Sequence, residues 1–149
     1  MSNRPALRLE QPELRIRDGR VLDLVRRRWV VLTPEEWVRQ HTMHFLLQRA
    51  RAPHGLLSVE KAHHSHAGAR RTDVTVYARD GSRWMVVECK APDVRLAQSS
   101  LDQVARYARE LKPRYIAVTN GMSLYCAERV GDRYAFVPQF PEYPDIESS

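Results

Sequence analysis

The chain has 149 residues, 43% of them hydrophobic and 28% charged, which suits one domain with a core of its own. No run of about 18 apolar residues and no apolar leader follows the start, so neither a membrane span nor a secretory signal is expected. Two cysteines, Cys89 and Cys126, make no disulfide framework, and a net charge of +6 favours a polyanionic partner in a reducing cytoplasm.

Residues 1–13 carry no periodic pattern and read as a loosely ordered arm. The single domain is expected over 14–137. Leu14 to Leu24 contains Asp18-Gly19 and resembles a hairpin. Arg26-Arg27-Arg28 is either a phosphate contact or a solvated cluster, and Trp29 to Leu32 is a short apolar run. Thr33-Pro34-Glu35-Glu36 is a helix start, with Thr33 as N-cap, Pro34 in the first helical position and Glu36 completing a capping box. That helix should reach about Arg51. Its apolar stripe is core, while His41 and His44 are a weak candidate ligand pair with no carboxylate at matching spacing.

Leu56 to Ala62 reads as a strand with Glu60 near its centre. His63, His64 and His66 form a polar loop or an adventitious metal cluster. Arg70 and Arg71 precede the next strand and would add positive potential at its mouth. The segment from Asp73 to Lys90 then reads as one β-hairpin around Asp80-Gly81. A two-residue loop there pairs Arg79 with Ser82 and, counted back, Asp73 with Glu88. Cross-strand partners have Cβ atoms about 4.5–5.5 Å apart, so two carboxylates would face each other and repel. A divalent cation relieves that repulsion. Lys90, two residues beyond Glu88, projects from the same face. The alternative is a solvated Glu-x-Lys face. Against it, Met85-Val86-Val87 leads straight into Glu88, as in a strand buried on both sides.

Ala91-Pro92 stops the strand, and a helix over Ala97–Leu111 should bury Leu101, Val104, Ala108 and Leu111. Gln103 and Tyr107 stand one turn apart on its flank. Arg106 on this helix is a further candidate nucleic-acid contact. Strands follow at Tyr115–Thr119, Ser123–Ala127 and Tyr134–Val137, and a Pro-rich acidic tail occupies 138–149. The Lys90 strand, the helix and the Tyr115 strand are spaced for a crossover. An α/β domain with a mixed sheet flanked by helices is the expected fold class.

Asp73, with Glu88-Cys89-Lys90 on the next strand, resembles the PD-(D/E)xK nuclease superfamily. Gln103-Val-Ala-Arg-Tyr107 resembles a Gln-x-x-x-Tyr motif found in part of that superfamily. Leu32 to Gln40, Glu88 to Pro92 and Val118 to Gly121 resemble the N-terminal nuclease domain of the type I restriction enzyme R subunit. The likeness spans roughly 14–143; it departs at Thr72, where the motif has proline. It implies an αβββαβ core and Mg²⁺-dependent hydrolysis of DNA phosphodiesters, with Mn²⁺ as a substitute. Asp73 and Glu88 would be metal ligands, joined by the Cys89 carbonyl and by Glu60 as an outer or second-metal ligand. Lys90 would be catalytic, and Gln103 and Tyr107 would orient the lysine or the phosphate. A homodimer or a partner subunit of a restriction or defence system is implied. The alternative is a non-catalytic DNA- or protein-binding module of the same fold.

Overall fold

The computed structural model describes residues 4, 7–9, 11–61 and 72–145, with backbone alone at Lys61, Thr72, Asp73 and Tyr107. The strands are β1 (Ile16–Arg17), β2 (Arg20–Asp23), β3 (Arg28–Val31), β4 (Leu57–Lys61), β5 (Thr72–Tyr77), β6 (Arg83–Cys89), β7 (Tyr115–Thr119), β8 (Leu124–Val130) and β9 (Arg133–Val137); the helices are α1 (Pro34–Gln48) and α2 (Gln98–Tyr107). The first three strands make a small antiparallel sheet, and the other six make a mixed sheet in sequence order from β4 to β9. Among the described strands only β6 and β7 run parallel, and α2 is the crossover between them. The expected mixed α/β fold is therefore present.

Each helix covers one face of the large sheet. Under α1, Val38, Met43 and Leu46 share a core with Val74, Val76, Met85 and Val87. Under α2, Leu101, Val104 and Ala108 pack on Ile116, Val118 and Ala127. A strand sandwiched this way must be apolar in consecutive positions, which is why β6 is buried from Trp84 through Cys89. The hairpin at Asp18-Gly19 is a tight two-residue turn, with both residues at positive φ.

Thr33 caps α1 as expected, its Oγ1 accepting the Glu36 N–H at 3.1 Å. Glu36 does not complete the box. Its carboxylate instead accepts from Arg26 at 2.6 Å, Arg39 at 2.7 Å and Gln40 at 3.0 Å. Charged donors at that range outcompete one backbone amide. The helix stops at Gln48, short of Arg51, whose own φ is +62°. Leu111 is half-buried beyond the end of α2.

Leu7 and Tyr143 lie outside the 14–137 bounds expected for the domain, and both are core residues. Leu7 presses on Gly121 in the β7–β8 turn, where Arg8 N–H donates to the Gly121 carbonyl at 2.8 Å. Tyr143 stacks edge-on against Trp84, its N–H donating to the Ala50 carbonyl and its hydroxyl to the Tyr77 carbonyl.

Candidate active site

The β5–β6 hairpin departs twice from a two-residue loop, and the departures cancel. Arg79, Asp80 and Gly81 form a three-residue loop closed by the Ala78 N–H on the Ser82 carbonyl at 2.7 Å, with Gly81 at φ +91°. Asp80 Oδ1 accepts from both the Ser82 N–H and its hydroxyl. The extra loop residue is then absorbed by a bulge at Trp84, since Tyr77 pairs with Arg83 and Val76 with Met85. From there Asp73 pairs with Glu88, as the sequence spacing predicts. The bulge also exchanges two side chains. Trp84 enters the α1 core, and Arg83 joins the opposite face.

The register extends further. Glu60 pairs with Asp73, Asp73 with Glu88, and Glu88 with Val118. Directly opposed residues project from the same face of a sheet. Val118 packs under α2. Three acidic positions therefore form one row across three strands on the α2 face.

Glu88 is 3% exposed and its Oε2 lies 3.5 Å from Lys90 Nζ. Lys90 is held at the strand end by its N–H, which donates to the Thr119 carbonyl at 2.8 Å. The loop after it is tied to the next turn by Asn120, whose Nδ2 donates to the Val94 carbonyl at 2.7 Å. Asn120 Oδ1 accepts from the Met122 and Ser123 N–H groups, so this one side chain joins two loops. Nothing local in the sequence shows that the Asn120 side chain finds its partner 26 residues away.

Glu60 is engaged within the row. It accepts a hydrogen bond from the Tyr77 hydroxyl and lies 3.7 Å from Arg83. Burial and this contact with the Glu60 carboxylate raise the Tyr77 pKa. The roles of Tyr77 and Arg83 were not legible, because a plain hairpin would have put Arg83 on the other face.

Cys89 turns its side chain into the α1 core, away from Glu88. Gln98, Asp102 and Ala105 on α2, with Arg109 just past its end, line a groove over β8 and β9. Positions 103 and 107 stand on the other flank, the side of β6, at about 100° per residue. Gln103 is exposed there. Arg106 lies on the groove flank and not with Gln103. His41 is buried, its Nδ1 bonded to the Trp37 carbonyl, in an edge-on contact with the Trp37 ring. Arg70, Arg71 and the His63–His66 cluster lie outside the described residues. Among the described residues, no three His, Cys, Asp or Glu side chains gather as a metal site.

The family model for the type I restriction enzyme R protein N terminus matches residues 34–141. The chain belongs to this family. The match begins at the first residue of α1 and runs past β9, so it contains the acid row, Lys90, Asn120 and both helices. No curated protein and no solved structure matches the chain. Among the described residues no helix is long and apolar enough to cross a membrane.

Proposed function

We propose that this chain is a Mg²⁺-dependent deoxyribonuclease module of a restriction or defence system. The observation that supports it is the pairing of Asp73 with Glu88, with Lys90 Nζ 3.5 Å from the Glu88 carboxylate. Two opposed carboxylates are the oxygen donors a hard divalent cation takes, leaving most of its octahedron to waters and phosphate. When bound, such an ion polarises a phosphoryl oxygen and lowers the pKa of a bound water. Asp73 and Glu88 would hold it. Lys90 would orient the attacking water and offset charge growing on the phosphorus oxygens. Asn120 and Thr119 keep the lysine at the strand end. Gln103 and Tyr107 act as positioning residues from the β6 side of α2, and the Cys89 carbonyl is a further candidate ligand. Glu60 enters this set only by releasing Tyr77 and Arg83, so its better-supported role is to brace that corner.

Incubation with plasmid, linear and branched DNA in Mg²⁺ or Mn²⁺ tests the proposal. Cleavage is expected, and Asp73→Ala and Lys90→Ala should each lower it by at least about a hundredfold. Variants that cut like wild type would refute it. An RNA competitor should leave DNA cleavage unchanged. DNA and a partner subunit or second copy are the proposed partners.

The Lys90–Glu88 contact also favours a second reading, because a carboxylate neutralised by its own lysine needs no cation. The domain would then be a non-catalytic DNA- or protein-binding module. Calorimetry separates the two: DNA affinity without Mg²⁺ binding supports the module.

A further inference from the structure

The large sheet is covered unevenly on the α2 side. α2 lies over β7 and the near part of β8, and on the edge strand β9 Tyr134 packs against the α2 cluster while Phe136, further along the same face, is left exposed. The result is a groove of about 580 Å³ between α2 and the β8–β9 hairpin, continued past Gln98 by a second hollow of about 350 Å³. Its floor is apolar and aromatic. Phe136 is 58% exposed and Tyr125 37% exposed. Its rim is cationic, with Arg106, Arg109, Lys112, Arg129 and Arg133 against Asp102 and Asp132, all exposed.

We infer that this groove binds single-stranded DNA, with bases stacked on Phe136 and Tyr125 and phosphates along the arginine rim. The charge balance selects an anionic polymer. The aromatic floor selects one whose bases are free to stack; a duplex shows its phosphates to such a surface but not its base faces. The groove is also aligned with the acid row. Tyr125 pairs with Val118, and Val118 with Glu88, so the groove opens in the same cross-sheet row two strands from β6. At about 4.8 Å per strand that is about 10 Å. A strand lying in the groove would leave it past the start of α2, beside Glu88 and Lys90. This rests on the proposed nuclease role for the choice of DNA over other polyanions, and it adds the form of the substrate.

The test is fluorescence anisotropy of a labelled oligothymidine on the full chain, in EDTA so that no metal is involved. Wild type should bind the single strand more tightly than a duplex of equal length. Phe136→Ala should weaken single-strand binding about tenfold, with an unchanged melting temperature. The Arg106→Ala/Arg133→Ala double variant should reduce the salt dependence by about 1.4 in logarithmic slope, two phosphate contacts' worth. Equal binding by wild type and Phe136→Ala would overturn the inference. So would a tighter duplex, or Phe136-dependent self-association in light scattering, which would make the groove an interface between copies. Cleavage in Mg²⁺ reads the acid row separately, so failure of the groove and failure of the nuclease proposal give different results.

Discussion

Two groups of carboxylates are held in opposite ways. Asp23 and Glu36 sit 0% and 5% exposed between the small sheet and α1. Arg26 bridges them at 2.6 Å to each, while Gln40, Arg39 and the Val25 and Arg26 N–H groups take further oxygens. That cluster supplies its own countercharge. The row of Glu60, Asp73 and Glu88 stacks three acidic positions, and among the described side chains Arg83 lies by Glu60 and Lys90 by Glu88. The first arrangement fastens a sheet to a helix. The second has longer ion-pair contacts, Lys90 lying 3.5 Å from Glu88 and Arg83 3.7 Å from Glu60.

The sharpest way to break the contrast is Arg26→Ala. It removes the cation shared by two buried carboxylates, leaving Arg39 on Glu36 and neutral donors on Asp23, and should cost about 3 kcal/mol, measured by urea unfolding. Glu88→Gln should cost less, about 1 kcal/mol, because Lys90 lies 3.5 Å from the Glu88 carboxylate, a looser contact than the 2.6 Å ones around Arg26. Mg²⁺ should raise the melting temperature of wild type and not of Glu88→Gln. Equal destabilisation by the two substitutions would erase the distinction.

Acid titration sharpens it next. Burial pushes the Asp23 carboxyl up, but hydrogen bonds from the Arg26 N–H, Gln40 and the Arg26 guanidinium outweigh this and leave it below 3.8. Its stabilising contribution is complete above that value and is lost as pH falls through the lower folded pKa. His41 and His44 are lowered from 6.5, both chiefly by burial. The unfolded chain therefore takes up these protons first, and stability should fall as pH drops below about 6.5. A melting temperature lower by a few degrees at pH about 5.5 than at about 7.5, with less change in a His41→Gln/His44→Gln variant, is the expected result.

Smaller effects come from the turn beside Lys90. Gly121 has φ +87°, and an added Cβ would lie 2.7 Å from Leu7. Gly121→Ala should cost about 1–2 kcal/mol in denaturant melts. At the bottom of the scale, Arg114 and Glu128 are 3.4 Å apart, the arginine exposed and the glutamate half-buried, and Arg114→Ala should change stability by less than about 0.5 kcal/mol.

Much of this was written locally. Thr33-Pro34, the Asp-Gly turns, the α2 stripe and the parallel crossover all rest on short-range patterns. So does the opposition of Asp73 and Glu88, though the route to it was a compensated pair of irregularities. The unread features depend on residues far apart in sequence. Glu36 looked like a cap because the Arg26 ten residues earlier was not visible as its neighbour. Leu7 and Tyr143 looked peripheral because their partners, Gly121 and Trp84, lie on remote strands. The groove over β9 was not legible because an edge strand covered at Tyr134 and open at Phe136 has the same alternation as one covered throughout.

The paired irregularities in the β5–β6 hairpin restrict how its tip can vary. Deleting one loop residue without also removing the Trp84 bulge would slide the strands by a single position. Glu88 would then be carried to the opposite side of the sheet, among Val38, Met43 and Leu46. An unaccompanied carboxylate there is intolerable to the fold. Length changes at this tip should therefore survive only in matched pairs, one at the loop and one at the bulge.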